Sequence, residues 1–125
     1  MATVELTQDT FTQTLADNDL VLVDFWASWC GPCHAFAPIY ETISERHPDV
    51  VFGKVDTEAQ RELAAAFDIM SIPTLMVVRD QVVLFSQPGV LPEEALDDLI
   101  SQAQDLDMDG VRRQIEEQQA EQQAS

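Results

Sequence analysis

The stretch Leu20 to Ala27, LVLVDFWA, is apolar and β-branched with a single interruption at Asp24. A strand exposed on one face alternates apolar and polar residues, whereas an unbroken apolar run fits a strand covered on both faces of a sheet. This segment therefore belongs at the centre of a sheet, and the rest of the chain must supply the faces that cover it. From Pro32 onward Phe36, Ile39, Tyr40 and Ile43 recur at helical spacing until His47-Pro48 ends the pattern, with Pro38 expected to kink the helix. A second apolar run, Val50 to Asp56, is followed by Thr57 and Gln60 in capping-box spacing and by Ala59, Leu63 and Phe67 on one helical face. The strand-helix alternation predicts that these two strands are parallel.

The flanks extend the pattern. Thr7 is placed to cap a first helix that ends near Asn18, with Leu6 and Phe11 packing as a hydrophobic staple, and Val4 to Leu6 can form a short first strand. Thr74 to Arg79 and Val82 to Ser86 read as strands joined by Asp80-Gln81, a hairpin without the customary glycine. After Pro88-Gly89 a last helix runs from Pro92 to about Gln104, with Leu96, Leu99, Ile100 and Ala103 facing inward. Beyond Asp105 the composition shifts to Asp, Glu, Gln and Ala, with little apolar surface to join a core. Pairs such as Arg112 with Glu116 and Arg113 with Glu117 contribute about 0.2 to 0.5 kcal/mol each, too little to nucleate a short helix alone. The expected division is a domain over residues 1–104 and an acidic, Gln-rich extension over 105–125, weakly structured or transiently helical.

A chain of 125 residues fits one domain with an ordinary core. Its 23 acidic against six basic residues leave a formal charge of -17, a field that repels phosphate backbones and anionic headgroups and argues against nucleic acid and membrane surfaces as partners. Neither a basic region with an apolar leader nor a run of 18 apolar residues is present, so a cytoplasmic location is expected.

Chemistry concentrates in WCGPCH, Trp29 to His34. Cys30 falls where the central strand gives way to a helix, and the free amides and positive dipole of a helix start favour the thiolate that attacks a disulfide. Two intervening residues set Cys33 one turn behind Cys30, within reach to break a mixed disulfide. Pro32 suits a first turn because it lacks an N–H. So short a loop makes a poor structural staple. The competing readings are a buried or accidental pair and a zinc half-site, but zinc usually takes four ligands and only His34 and His47 remain, both read here as solvated helix residues. Asp24 and Lys54 each interrupt a strand expected to be buried, where an unpaired charge is costly; an ordinary ion pair or an exposed strand end is the plainer account.

These residues together resemble the thioredoxin family. The resemblance covers Val4 to about Gln104 and rests on VLVDFWA (Val21 to Ala27), WCGPCH running on to Pro38, KVD (Lys54 to Asp56), SIPT (Ser71 to Thr74) and Pro88-Gly89. It implies an α/β thioredoxin fold, a central mixed β-sheet flanked by helices, and reduction of protein disulfides by dithiol-disulfide exchange. It implies no metal and no bound cofactor; NADPH and flavin enter only through thioredoxin reductase, and disulfide-containing proteins are the substrates of an expected monomer. Residue by residue, Cys30 corresponds to the attacking thiol, Cys33 to the resolving thiol, Asp24 with Lys54 to the pair behind the cysteines that aids proton transfer, and Pro73 to a cis proline beside them. Ile72 then offers its backbone to the substrate chain. Trp29, Pro32, Ile72, Gly89 and Val90 then form a shallow apolar platform, with Gly31 in the shell of the site and Trp26 beside it.

The departures are His34 where many members carry Lys, the hairpin without Asn-Gly, and the acidic tail. The alternative function is a noncatalytic binding subunit or holdase that grips a partner through the same platform; turnover that requires both cysteines separates the two.

Overall fold

In a computed structural model, which describes residues 2–124, the apolar run at Leu20 becomes strand β2 (Leu20–Trp26), the central strand of five. The other strands are β1 (Thr3–Glu5), β3 (Val51–Asp56), β4 (Thr74–Arg79) and β5 (Val82–Pro88), in the order β1-β3-β2-β4-β5. As the alternation predicts, β2 and β3 are parallel, with Val21 opposite Val51 and Asp24 opposite Lys54. β4 returns antiparallel on the other side of β2, and β5 pairs antiparallel with β4. The helices are α1 (Phe11–Asp17), α2 (Gly31–Arg46), α3 (Arg61–Ala66), α4 (Glu93–Asp105) and α5 (Met108–Ala124).

Because side chains alternate across a strand, β2 feeds two cores. Leu20 and Leu22 pack with Phe36, Tyr40 and Ile43 of α2 and with Leu96, Ile100 and Ala103 of α4. Val21, Val23 and Phe25 pack on the opposite face with Leu6, Phe11 and Leu63. The unbroken hydrophobicity of the strand thus has its cause: both faces are covered. Gly53 of β3 is needed for close approach, since a Cβ there would collide with the side chain of Leu6.

Three local expectations are corrected. Thr7 does not cap α1; its carbonyl accepts the Thr10 and Phe11 amides, and Thr10 holds the cap position without a side-chain cap bond. The Thr57/Gln60 capping box does not form, because the Thr57 hydroxyl donates to the Trp26 carbonyl and the Asp56 carboxylate accepts the Glu58 and Ala59 amides instead. His47 is half-buried rather than solvated, its Nε2 2.6 Å from Asp97 of α4. The glycine-free hairpin forms with both turn residues at positive φ, 51° for Asp80 and 67° for Gln81, the backbone that suits a two-residue hairpin. Pro38 lies within α2 on its exposed side. Residues 108–124 form a continuous α5, attached where Met108 is buried and Arg112 meets Asp80 at 3.1 Å.

Candidate active site

Strand β2 and helix α2 meet in the segment that carries the cysteines. Cys30 is the N-cap of α2 in extended backbone conformation, Gly31 and Pro32 open the first turn, and Cys33 lies inside it. Proline there leaves no amide unsatisfied. Cys30 and Cys33 are joined as a disulfide, and the Cys33 amide donates to Cys30 Sγ over 3.2 Å. In the reduced state the same amide and the helix dipole would favour a thiolate at Cys30. Cys30 and Cys33 are only 4% and 3% exposed, whereas Trp29 beside them is 69% exposed. The disulfide is thus nearly enclosed, with the Trp29 side chain exposed beside it.

The opposite wall comes from the loop before β4. The Ile72-Pro73 peptide is cis, and the Ile72 carbonyl oxygen lies 3.7 Å from Cys30 Sγ. Ile72 and Trp26 pack against the cluster of Ala27, Cys30 and Cys33. Gly89, at φ 113°, donates its amide to the Pro73 carbonyl at 2.9 Å, which ties the end of β5 to this loop. Gly31, Pro32, Gly89 and Val90 are exposed around the rim. The His34 ring donates from Nε2 to the Ser28 carbonyl at 2.6 Å, and Trp29 Nε1 donates to Glu58 at 2.9 Å. Both bonds fix the loop that leads into Cys30, and neither was legible in the sequence because each partner is chosen by the fold.

Asp24 is fully buried, and neither of its carboxylate oxygens has a hydrogen-bond partner among the described residues; the same is true of Trp26 Nε1. Lys54 faces Asp24 in the β2–β3 register, but its ammonium lies over the Trp26 ring, 4.9 Å from the centroid. Burial raises the Asp24 pKa from 3.8 to about 7, with the Lys54 charge offsetting part of the rise. The Tyr40 hydroxyl, also buried, donates to the Gly53 carbonyl at 2.8 Å and is held well above its ordinary pKa by burial and by Asp24. The fold thus gathers Trp26, Cys30, Cys33 and Ile72 in one cluster, leaves Trp29, Gly31, Pro32 and Gly89 exposed, and sets Asp24 opposite Lys54 across β2 and β3.

Residues 2–102 match the thioredoxin family model. The chain belongs to the thioredoxin family. It is 64% identical over 120 residues to a protein named putative thioredoxin 2 from Streptomyces coelicolor, covering 96% of this chain and 90% of that one. With the thioredoxin of Bacillus subtilis it shares 38% identity, across 81% of this chain and 97% of that one. Among solved structures, a mutant thioredoxin from Halobacterium salinarum superposes with a TM-score of 0.76 at 35% identity, covering 83% of this chain and 91% of that one. A thioredoxin of Plasmodium falciparum gives 0.73 at 35% identity, covering 80% and 97%. Family, fold and the Cys30–Cys33 disulfide together make this protein a thiol-disulfide oxidoreductase that reduces protein disulfides through its Cys-Gly-Pro-Cys segment. Among the described residues no helix is long and apolar enough to cross a membrane, and no group of three His, Cys, Asp or Glu is placed to hold a metal ion.

Proposed function

We propose that Cys30 is the sulfur that attacks the substrate, that Cys33 resolves the mixed disulfide, and that Asp24 takes and returns the proton of Cys33. The observation that carries this reading is the asymmetry of the pair: Cys30 Sγ accepts an amide and borders the open loop at Ile72, while Cys33 lies inside the helix. In the reduced protein, the Cys30 thiolate bonds to one substrate sulfur and expels the other as a thiolate, which takes a proton from water. Cys33 then gives its proton to the Asp24 carboxylate, attacks Cys30 Sγ, and releases the second substrate sulfur. Two electrons have moved from the protein dithiol to the substrate disulfide, and the protein is left with the Cys30–Cys33 bond. A carboxyl with a pKa near 7 is suited to exchange a proton with a thiol near neutral pH.

Trp29, Gly31, Pro32, Ile72, Pro73 and Gly89 serve as the platform for the substrate chain, with Ile72 pairing by its backbone; Trp26 and Lys54 support the site from behind. Re-reduction by an NADPH-dependent flavoprotein thioredoxin reductase in the cytoplasm completes the cycle, and the working unit is a monomer. Residues 1–104 act as the catalytic domain and 105–125 as an extension, a division supported by a family match that ends at residue 102.

The test is a Cys33→Ser variant incubated with a disulfide-bonded protein: it should accumulate a mixed disulfide on Cys30, mapped by mass spectrometry, while Cys30→Ser accumulates none. An adduct found on Cys33 in Cys30→Ser would reverse the assignment. The binding-subunit alternative requires that both variants retain function, so loss of turnover in each removes it.

A further inference from the structure

Exposed apolar side chains scattered singly are ordinary on a protein surface, but Met70, 91% exposed, is not isolated. It lines a groove of about 170 Å³ with Trp29, Thr57, Ile69, Ser71 and Ile72, none of them charged. Two of these residues also border the disulfide: Trp29 precedes Cys30, and the Ile72 carbonyl is 3.7 Å from Cys30 Sγ. A polypeptide joined to Cys30 through its own cysteine therefore has the groove within reach of a neighbouring side chain, since an extended chain advances only about 3.3 Å per residue. The volume is close to the ~150 Å³ cavity that accepts one benzene ring, so the groove takes a single side chain rather than a longer segment.

The geometry points to Met70 as a specificity-determining residue: with Trp29 and Ile72 it receives a bulky apolar side chain adjacent to the substrate's cysteine, and polypeptides carrying one there are reduced in preference. The unbranched thioether can adapt its shape to aliphatic and aromatic groups alike. The inference rests on Cys30 being the sulfur that carries the substrate.

Two synthetic peptides with the same intramolecular disulfide, one with leucine beside the reactive cysteine and one with glycine, test it. Each is reduced by an excess of pre-reduced protein, and each rate is normalised to that with dithiothreitol. The protein should prefer the leucine peptide by about fivefold, as expected when part of an apolar side chain leaves water. Met70→Gln should bring the ratio close to one, and Met70→Leu should keep it. Absence of a preference in the unaltered protein, or its persistence in Met70→Gln, overturns the inference. The adduct formed by Cys33→Ser with the same peptides separates the two layers: an adduct on Cys30 leaves the assignment of the attacking sulfur standing whatever Met70 does, and an adduct elsewhere removes both.

Discussion

Asp24 and Arg79 are charged residues on neighbouring antiparallel strands of one sheet, Asp24 opposite Leu75 and Arg79 opposite Leu20, yet their surroundings are opposite in kind. Arg79 Nη1 stands 2.7, 2.9 and 2.8 Å from the carbonyl oxygens of Ala103, Gln104 and Leu106, where α4 ends and its last carbonyls lack helical partners. A cation at a helix C-terminus is favourable in itself. Asp24 is buried with no hydrogen-bond partner among the described residues, and the charge that offsets its burial, Lys54, lies over the Trp26 ring. The end of the sheet near α4 is thus built for stability, and the central strand β2 tolerates a costly carboxyl. Burial of a carboxyl without a hydrogen-bond partner is a cost that packing alone does not explain.

The largest effect should come from removing the costly group. An acid whose folded pKa is about 7 and whose unfolded value is 3.8 binds a proton in the native state between those values. Its stability contribution is therefore present at low pH and lost as pH rises through that window. Asp24→Asn removes this dependence, so its stability relative to the unaltered protein should improve by about 4 kcal/mol between pH 4 and pH 8, measured by urea unfolding across pH. The same variant should slow the step in which Cys33 loses its proton. A pH-independent difference between the two proteins would mean that Asp24 is not buried unpaired in solution.

Arg79→Leu should act in the opposite direction. It leaves three carbonyls without their donor, and because two of them are exposed and can turn to water, the loss should be about 1 to 2 kcal/mol. The loss should be constant from pH 5 to 8, since arginine does not titrate there, and disulfide reduction should be unchanged. A fall in reduction rate would show that the two ends of the sheet are coupled.

Arg112→Gln should have the smallest effect. Its bond to Asp80 at 3.1 Å joins α5 to the β4–β5 turn at a partly exposed position, so unfolding should shift by less than about 1 kcal/mol and the shift should vanish in high salt. Deleting residues 108–125 extends this test to all of α5; its main loss is the buried Met108, and reduction of a model disulfide should persist. Loss of reduction would make the extension part of the working domain.

Much of this was legible because it depends on neighbours in sequence. The doubly covered strand at Leu20, the helical spacing from Phe36 to Ile43, and a cysteine pair spanning one turn at a helix start are all set by local periodicity, and the sheet reproduces them within a residue or two. The predicted cap at Thr57 failed for the converse reason, since its hydroxyl found the distant Trp26 carbonyl that the fold brings near. Thr7 instead lost its cap locally, its hydroxyl facing that of Thr10, which holds the cap position.

The sequence by itself determined the alternation of strands and helices, the parallel pairing of β2 with β3, and the chemistry of Cys30 and Cys33, because each follows from side-chain period and chain direction within a few residues. Only the tertiary structure decided that Asp24 is buried without a hydrogen-bond partner among the described residues, that Arg79 holds the end of α4, and that Met70, Trp29 and Ile72 share one groove. Those properties depend on distance through space between segments far apart in the chain, and on the water excluded when the segments meet.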